Sequence, residues 1–160
     1  MNLLMRNFVL AVALMVLTVS ARADMPKSLP GWMIVATPHG YAELVERLDR
    51  SLTQGPLGKV NVASATVGAK NIGQTIPGNM VVGVFAPPFA IRMLDASIPA
   101  GIEAPLRFYI TENADKTATL SWRLPSAVFG AYADGGEKLR TMATELDGIM
   151  ATIAARATGS

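Results

Sequence analysis

Apolar and polar positions along this chain follow two periods, and the switches between them mark out the elements. Trp32 to Thr37 is apolar until its last residue and predicts a first strand, broken by Pro38-His39-Gly40. From Tyr41 to Thr53 the period becomes helical. Tyr41, Leu44, Val45, Leu48 and Leu52 share one face, and Glu43, Glu46, Arg47, Asp49 and Arg50 lie mostly on the other. Gly40 suits the N-cap and Glu43 the positive end of the helix dipole, while Gly55-Pro56 closes the unit. Lys59 to Ala65 predicts a second strand and Thr66 to Gln74 a short helix. Asn79 to Phe85 (NMVVGVF) is apolar on both faces, the pattern of a central strand, with Gly83 leaving room for a close neighbour.

Ala86-Pro87-Pro88 ends that strand, Phe89 to Ala96 predicts a short helix, and Pro99 to Pro105 a loop. Two alternating strands follow. Leu106, Phe108 and Ile110 share a face of one, Ala118, Leu120 and Trp122 a face of the next, and Glu112 to Lys116 turns between them as a hairpin. Asp134 and Glu137 make a D-x-x-E pattern that caps a helix reciprocally, and Leu139, Met142, Leu146, Ile149 and Ile153 then recur at helical spacing. That face must be covered, most simply by the sheet, or by the same helix of a second copy. Together these elements predict an α+β domain over residues 31–157: a largely antiparallel sheet with helices packed on it, including a long C-terminal amphipathic helix.

The N-terminal stretch has a different character. Arg6, the apolar run Phe8 to Val19 and the A-x-A site Ala21-Arg22-Ala23 have the layout of a secretory signal peptide over residues 1–23, cleaved after Ala23. The run is shorter than the roughly 18 apolar residues a membrane span needs, so no stable insertion is expected after cleavage. The expected address is the periplasm or the exterior, with residues 24–30 a short leader carrying Pro26 and Pro30. Retention of the segment as an uncleaved anchor is the competing reading.

Cleavage changes the charge. The whole chain has 14 Lys+Arg and 12 Asp+Glu, but Arg6 and Arg22 leave with the signal, and the remainder is neutral with no basic run. Nucleic-acid binding is therefore not expected. The chain has no cysteine, which excludes disulfides, thiol nucleophiles, Cys-ligated metals and C-x-x-C-H haem attachment.

Four pieces in order then resemble a known family: Gly68-Ala-Lys-Asn-Ile-Gly73; Val82-Gly-Val-Phe85 with Pro88; Ala104-Pro105-Leu106-Arg107; and Leu120-Ser121-Trp122 with Pro125. They are similar to the domain-of-unknown-function-302 family, over roughly Gly31 to Tyr132. The resemblance implies a compact α+β fold that often self-associates, hence an expected homodimer, and brings no established activity. Where such relatives carry Asp-His, Asn and Asn-Asp, this chain has Ser64-Ala65, Pro87 and Arg123-Leu124. Ser, Ala, Pro and Leu are poor proton carriers or ligands, so if the family's polar residues form a shared site, this chain is expected to lack most of it.

Candidate chemistry is sparse. His39, the one histidine, suits a general base or ligand if the fold brings it a carboxylate; otherwise it is a loop residue. Ser64 and Ser121 lack a G-x-S-x-G context, no Gly-rich phosphate loop occurs, and Met25, Met33, Met80, Met93, Met142 and Met150 are too dispersed for a copper site. No catalytic residue, metal or cofactor is assigned. The aromatics around the family-like pieces suggest a mostly apolar pocket of Phe85, Phe89 and Trp122, with Arg107 and Arg123 on the opposite hairpin face placed to hold a carboxylate, although aromatics also build ordinary cores. The function expected is a non-catalytic module for a small apolar ligand or a protein partner. The alternative is a periplasmic enzyme using His39.

Overall fold

A computed structural model describes residues 25–159; the signal-like segment lies outside them. Five strands, β1 (Trp32–Gly40), β2 (Gly58–Ser64), β3 (Asn79–Phe85), β4 (Leu106–Glu112) and β5 (Thr117–Arg123), form one sheet in the order β1-β5-β4-β3-β2. Every neighbouring pair is antiparallel. Helices α1 (Tyr41–Leu52), α2 (Ala65–Asn71), α3 (Pro87–Ala96), α4 (Pro125–Phe129) and α5 (Gly136–Thr158) complete an α+β domain. Among the described residues no helix is long and apolar enough to cross a membrane.

Strand alternation decides which side chains make the core. Val82 and Val84 of β3, Phe108 and Ile110 of β4, and Ala118, Leu120 and Trp122 of β5 are buried against Leu44, Leu48 and Leu52 of α1 and Leu139, Met142, Leu146, Met150 and Ile153 of α5. Phe108 and Trp122 are a cross-strand pair and meet edge to face, ring centroids 5.6 Å apart. The remaining strand positions form the other face of the sheet. Side by side across it lie Trp32, Arg123, Arg107, Gly83 and Asn61, and in the next row Ile34, Ser121, Tyr109, Val81 and Ala63.

Several expectations change in detail. β1 does not stop before Pro38: after an irregularity it continues to pair, Gly40 lying opposite Thr117. β3 is internal, but the central strand is β4. Helix α3 starts at Pro87 instead of Phe89, since proline suits a first turn where the missing N–H has no partner anyway. The segment after it contains a 3-10 turn, Pro99–Glu103. Helix α2 ends at Asn71, with Ser64 capping it through the Val67 N–H.

The D-x-x-E pattern does not cap α5. Asp134 sits in a 3-10 turn and accepts from the Ser97 hydroxyl at 2.8 Å, while Glu137 pairs with Arg140 at 2.7 Å. The buried face of α5 is covered within the chain, by the core side chains of the sheet together with α1, α3 and α4. Gly83 does leave room: any side chain there would collide with the amide of Asn61, which folds over it.

Candidate functional site

Two concavities lie on opposite sides of the sheet. The first is a cleft between α3 and α5, where β3 ends and β4 begins. It is lined by Phe85, Phe89 and Met93 on one side and Leu106, Phe129 and Met142 on the other, and holds about 30 Å³ of free space. That is room for a few water molecules at most, far below the roughly 300 to 1,000 Å³ of small-molecule pockets, so an occupant larger than water must part α3 from α5. Its walls are apolar throughout, with two flexible methionines able to adapt to an occupant.

Local sequence explains the wall. Pro87 and Pro88 end β3 and start α3, so the helix turns back over the end of the sheet and points Phe89 and Met93 at α5. An ion pair joins the two helices beside the cleft, Arg92 Nη1 lying 2.8 Å from Glu145 Oε2. The Arg92 guanidinium also sits over the Phe89 ring, 5.3 Å from its centroid.

The second concavity lies on the other face, a groove of about 380 Å³ lined by Trp32, Asn79, Val81, Arg107, Tyr109 and Arg123. The residues singled out by sequence thus divide. Phe85 and Phe89 line the cleft, Arg107 and Arg123 line the groove, and Trp122 is 2% exposed in the core between them. Trp32, Asn79 and Tyr109 were not anticipated. Their presence depends on β1 pairing with β5 and β3 with β4, which no local pattern encodes.

His39 acquires the carboxylate its chemistry would require: Nδ1 lies 2.9 Å from Glu43 Oε1. Its Nε2 lies 3.2 Å from the carbonyl oxygen of Thr158, and the Arg47 Nε donates to the carbonyl of Ala157 at 2.6 Å. Each ring nitrogen faces an acceptor, and His39 of β1 and Arg47 of α1 together tie these elements to the last turn of α5, where the Arg47 cation suits the helix dipole. Among the described residues no three His, Cys, Asp or Glu side chains are grouped so as to hold a metal ion.

Ser64, one of the family-variable positions, caps α2 beside the buried phenol of Tyr41. That hydroxyl has Ser64, Thr66 and the Asn79 backbone as neighbours but no aligned partner, and burial pushes its pKa up. Pro87 and Arg123 lie towards the other end of the sheet, so these positions do not converge on one pocket.

Residues 33–157 match the family described as "Domain of unknown function DUF302". The chain is also similar to a solved structure, an uncharacterized conserved protein DUF302 from Bacillus stearothermophilus, with 21% identity and a TM-score of 0.71 over 81% of this chain and 99% of that one. At that identity the likeness shows the fold alone. No curated protein matches the chain.

Proposed function

The chain belongs to the domain-of-unknown-function DUF302 family, and from that premise we propose that it is an exported, non-catalytic module that takes a small apolar ligand in the cleft beneath α3. The observation that carries this reading is the cleft itself: an all-apolar, solvent-open gap between Phe89 and Met142 in a domain whose core is otherwise tightly buried. Export rests on the signal-like layout of residues 1–23. A catalytic use of His39 has less support, since Nε2 lies against the Thr158 carbonyl at the end of α5 while Nδ1 faces Glu43 of α1.

A second reading, a protein partner or a second copy of the chain, rests on Ile91, Leu94, Ile98 and Ile102. These large apolar residues, 42 to 79% exposed, follow one another along α3 and the turn after it. They flank the cleft's helix without lining it.

Titration with the neutral fluorescent probe N-phenyl-1-naphthylamine tests the cleft. Ala90 of α3 also lines the cleft, and saturable enhancement that Ala90→Trp abolishes, with the circular dichroism of the variant unchanged, is the expected result. Enhancement indifferent to Ala90→Trp would move the site elsewhere.

A further inference from the structure

We propose that the groove on the helix-free face of the sheet is a second site, independent of the cleft, which binds small carboxylates carrying an apolar ring. Its central feature is a pair of adjacent like charges, of which only Arg107 has a carboxylate within reach among the described residues. The register of β4 and β5, with Phe108 opposite Trp122, sets Arg107 directly beside Arg123 on that face. Directly opposite side chains have Cβ atoms about 5 Å apart, and like charges there repel.

The chain supplies little relief. The nearest carboxylate to Arg107 is Glu103, at 3.8 Å, and that group already accepts from the Tyr132 hydroxyl at 2.7 Å. Among the described residues no carboxylate lies within ion-pair distance of Arg123. An anion between the two guanidinium groups removes the repulsion and gains two charge-assisted contacts, and the planar forks of arginine match a carboxylate.

The rest of the groove defines the remainder of the ligand. Tyr109, one row along, accepts a hydrogen bond from the Asn79 amide, which fixes the phenol oxygen and leaves its proton for an outside acceptor. Trp32, beside Arg123, and Val81, beside Tyr109, offer an aromatic edge and an apolar floor. Beyond Arg107, the Asn61 amide folded over Gly83 closes the row on that side. Donors therefore cluster at one end and apolar surface lines the rest, which suits a ring-bearing carboxylate better than a compact polyanion such as phosphate.

The test is an NMR titration of the exported protein with 2-naphthoate and, separately, with neutral 2-naphthamide. The expected result is saturable shifts at the Val81, Tyr109 and Ser121 amides with naphthoate only. Arg107→Gln and Arg123→Gln should each weaken binding by about tenfold or more, the worth of one charge-assisted hydrogen bond. Both substitutions relieve repulsion, so neither should lower the melting temperature, and the test does not depend on an unstable variant. Equal binding of the two probes at these amides, unaltered affinity in either variant, or no shift up to about 1 mM, where binding is barely 4 kcal/mol, would overturn the proposal. Shifts at Phe89 and Met142 instead would place the probe in the cleft and count against the groove in the same way.

Discussion

Phe108 and Trp122 face each other across β4 and β5 and pack edge to face inside the core, and this contact fixes which residues appear outside. One residue further on, the same register puts Arg107 next to Arg123 on the opposite surface. The core pair and the surface pair are consequences of one strand alignment. Trp122→Ala should cost about 3 to 5 kcal/mol, the usual penalty for emptying a buried aromatic site. Trp122→Phe should cost less, because the indole N–H is buried without a partner and its loss removes an unsatisfied donor. Urea denaturation of both variants checks the order.

The Arg92–Glu145 contact behaves as a clasp on the cleft more than as a stabiliser. Both side chains are nearly half exposed, so Arg92→Ala should cost only about 0 to 1 kcal/mol. Freed from α5 at this point, α3 should admit and release an apolar probe faster. Stopped-flow exchange of N-phenyl-1-naphthylamine, with the equilibrium melting curve as control, separates the two effects.

Tyr41 gives a pH dependence with a definite sign. Its phenol is raised above the ordinary value of 10.0, chiefly by burial. A group raised in the folded state contributes stability that is complete below its unfolded pKa and is lost as pH rises through the folded one. Stability should therefore fall above about pH 10, and Tyr41→Phe should reduce that fall. Tyr132, raised by its hydrogen bond to Glu103, acts in the same direction and leaves a residual slope. At neutral pH, Tyr41→Phe should be neutral or stabilising by up to about 1 kcal/mol, because the hydroxyl has no aligned partner to lose. Urea titrations at pH 7 and at pH 10.5 or so measure both effects.

His39 and Arg47 hold the end of α5 through the carbonyls of Thr158 and Ala157. His39→Ala and Arg47→Ala should each cost about 1 kcal/mol. Amide exchange should quicken in the last turn of α5 while the strands keep their protection. If His39→Ala instead left exchange in α5 unaltered and abolished a chemical activity, the enzymatic reading would replace the structural one.

How far the sequence reveals this molecule follows from what each element depends on. The β4–β5 hairpin was legible because residue types alternate along it, Phe108, Ile110, Leu120 and Trp122 facing the core and Arg107, Thr119, Ser121 and Arg123 the other side, even though Thr119 and Ser121 are buried too. Helices α1 and α5 were legible because each buries a single stripe. The five-residue α4 was not, being too short to show a period, and Asp134 imitated a cap because the D-x-x-E spacing says nothing of a turn that carries the aspartate to Ser97. Arg107 and Arg123 could be matched from the hairpin alone. That Trp32 and Asn79 join them, and that His39 reaches Thr158, depends on contacts between distant parts of the chain. Phe85 and Phe89 fell in the cleft and Trp122 in the core for a reason that residue type does not carry: the same aromatic ring serves a pocket or a core according to whether a helix closes over it.

The central claim, an exported domain that carries a small apolar ligand, is tested most directly by native mass spectrometry of the protein recovered from the periplasm of its host without refolding. The account predicts a polypeptide beginning at Asp24 with additional non-covalent mass, which Ala90→Trp removes. A cytoplasmic chain retaining residues 1–23, or a periplasmic chain at its bare polypeptide mass, would contradict it.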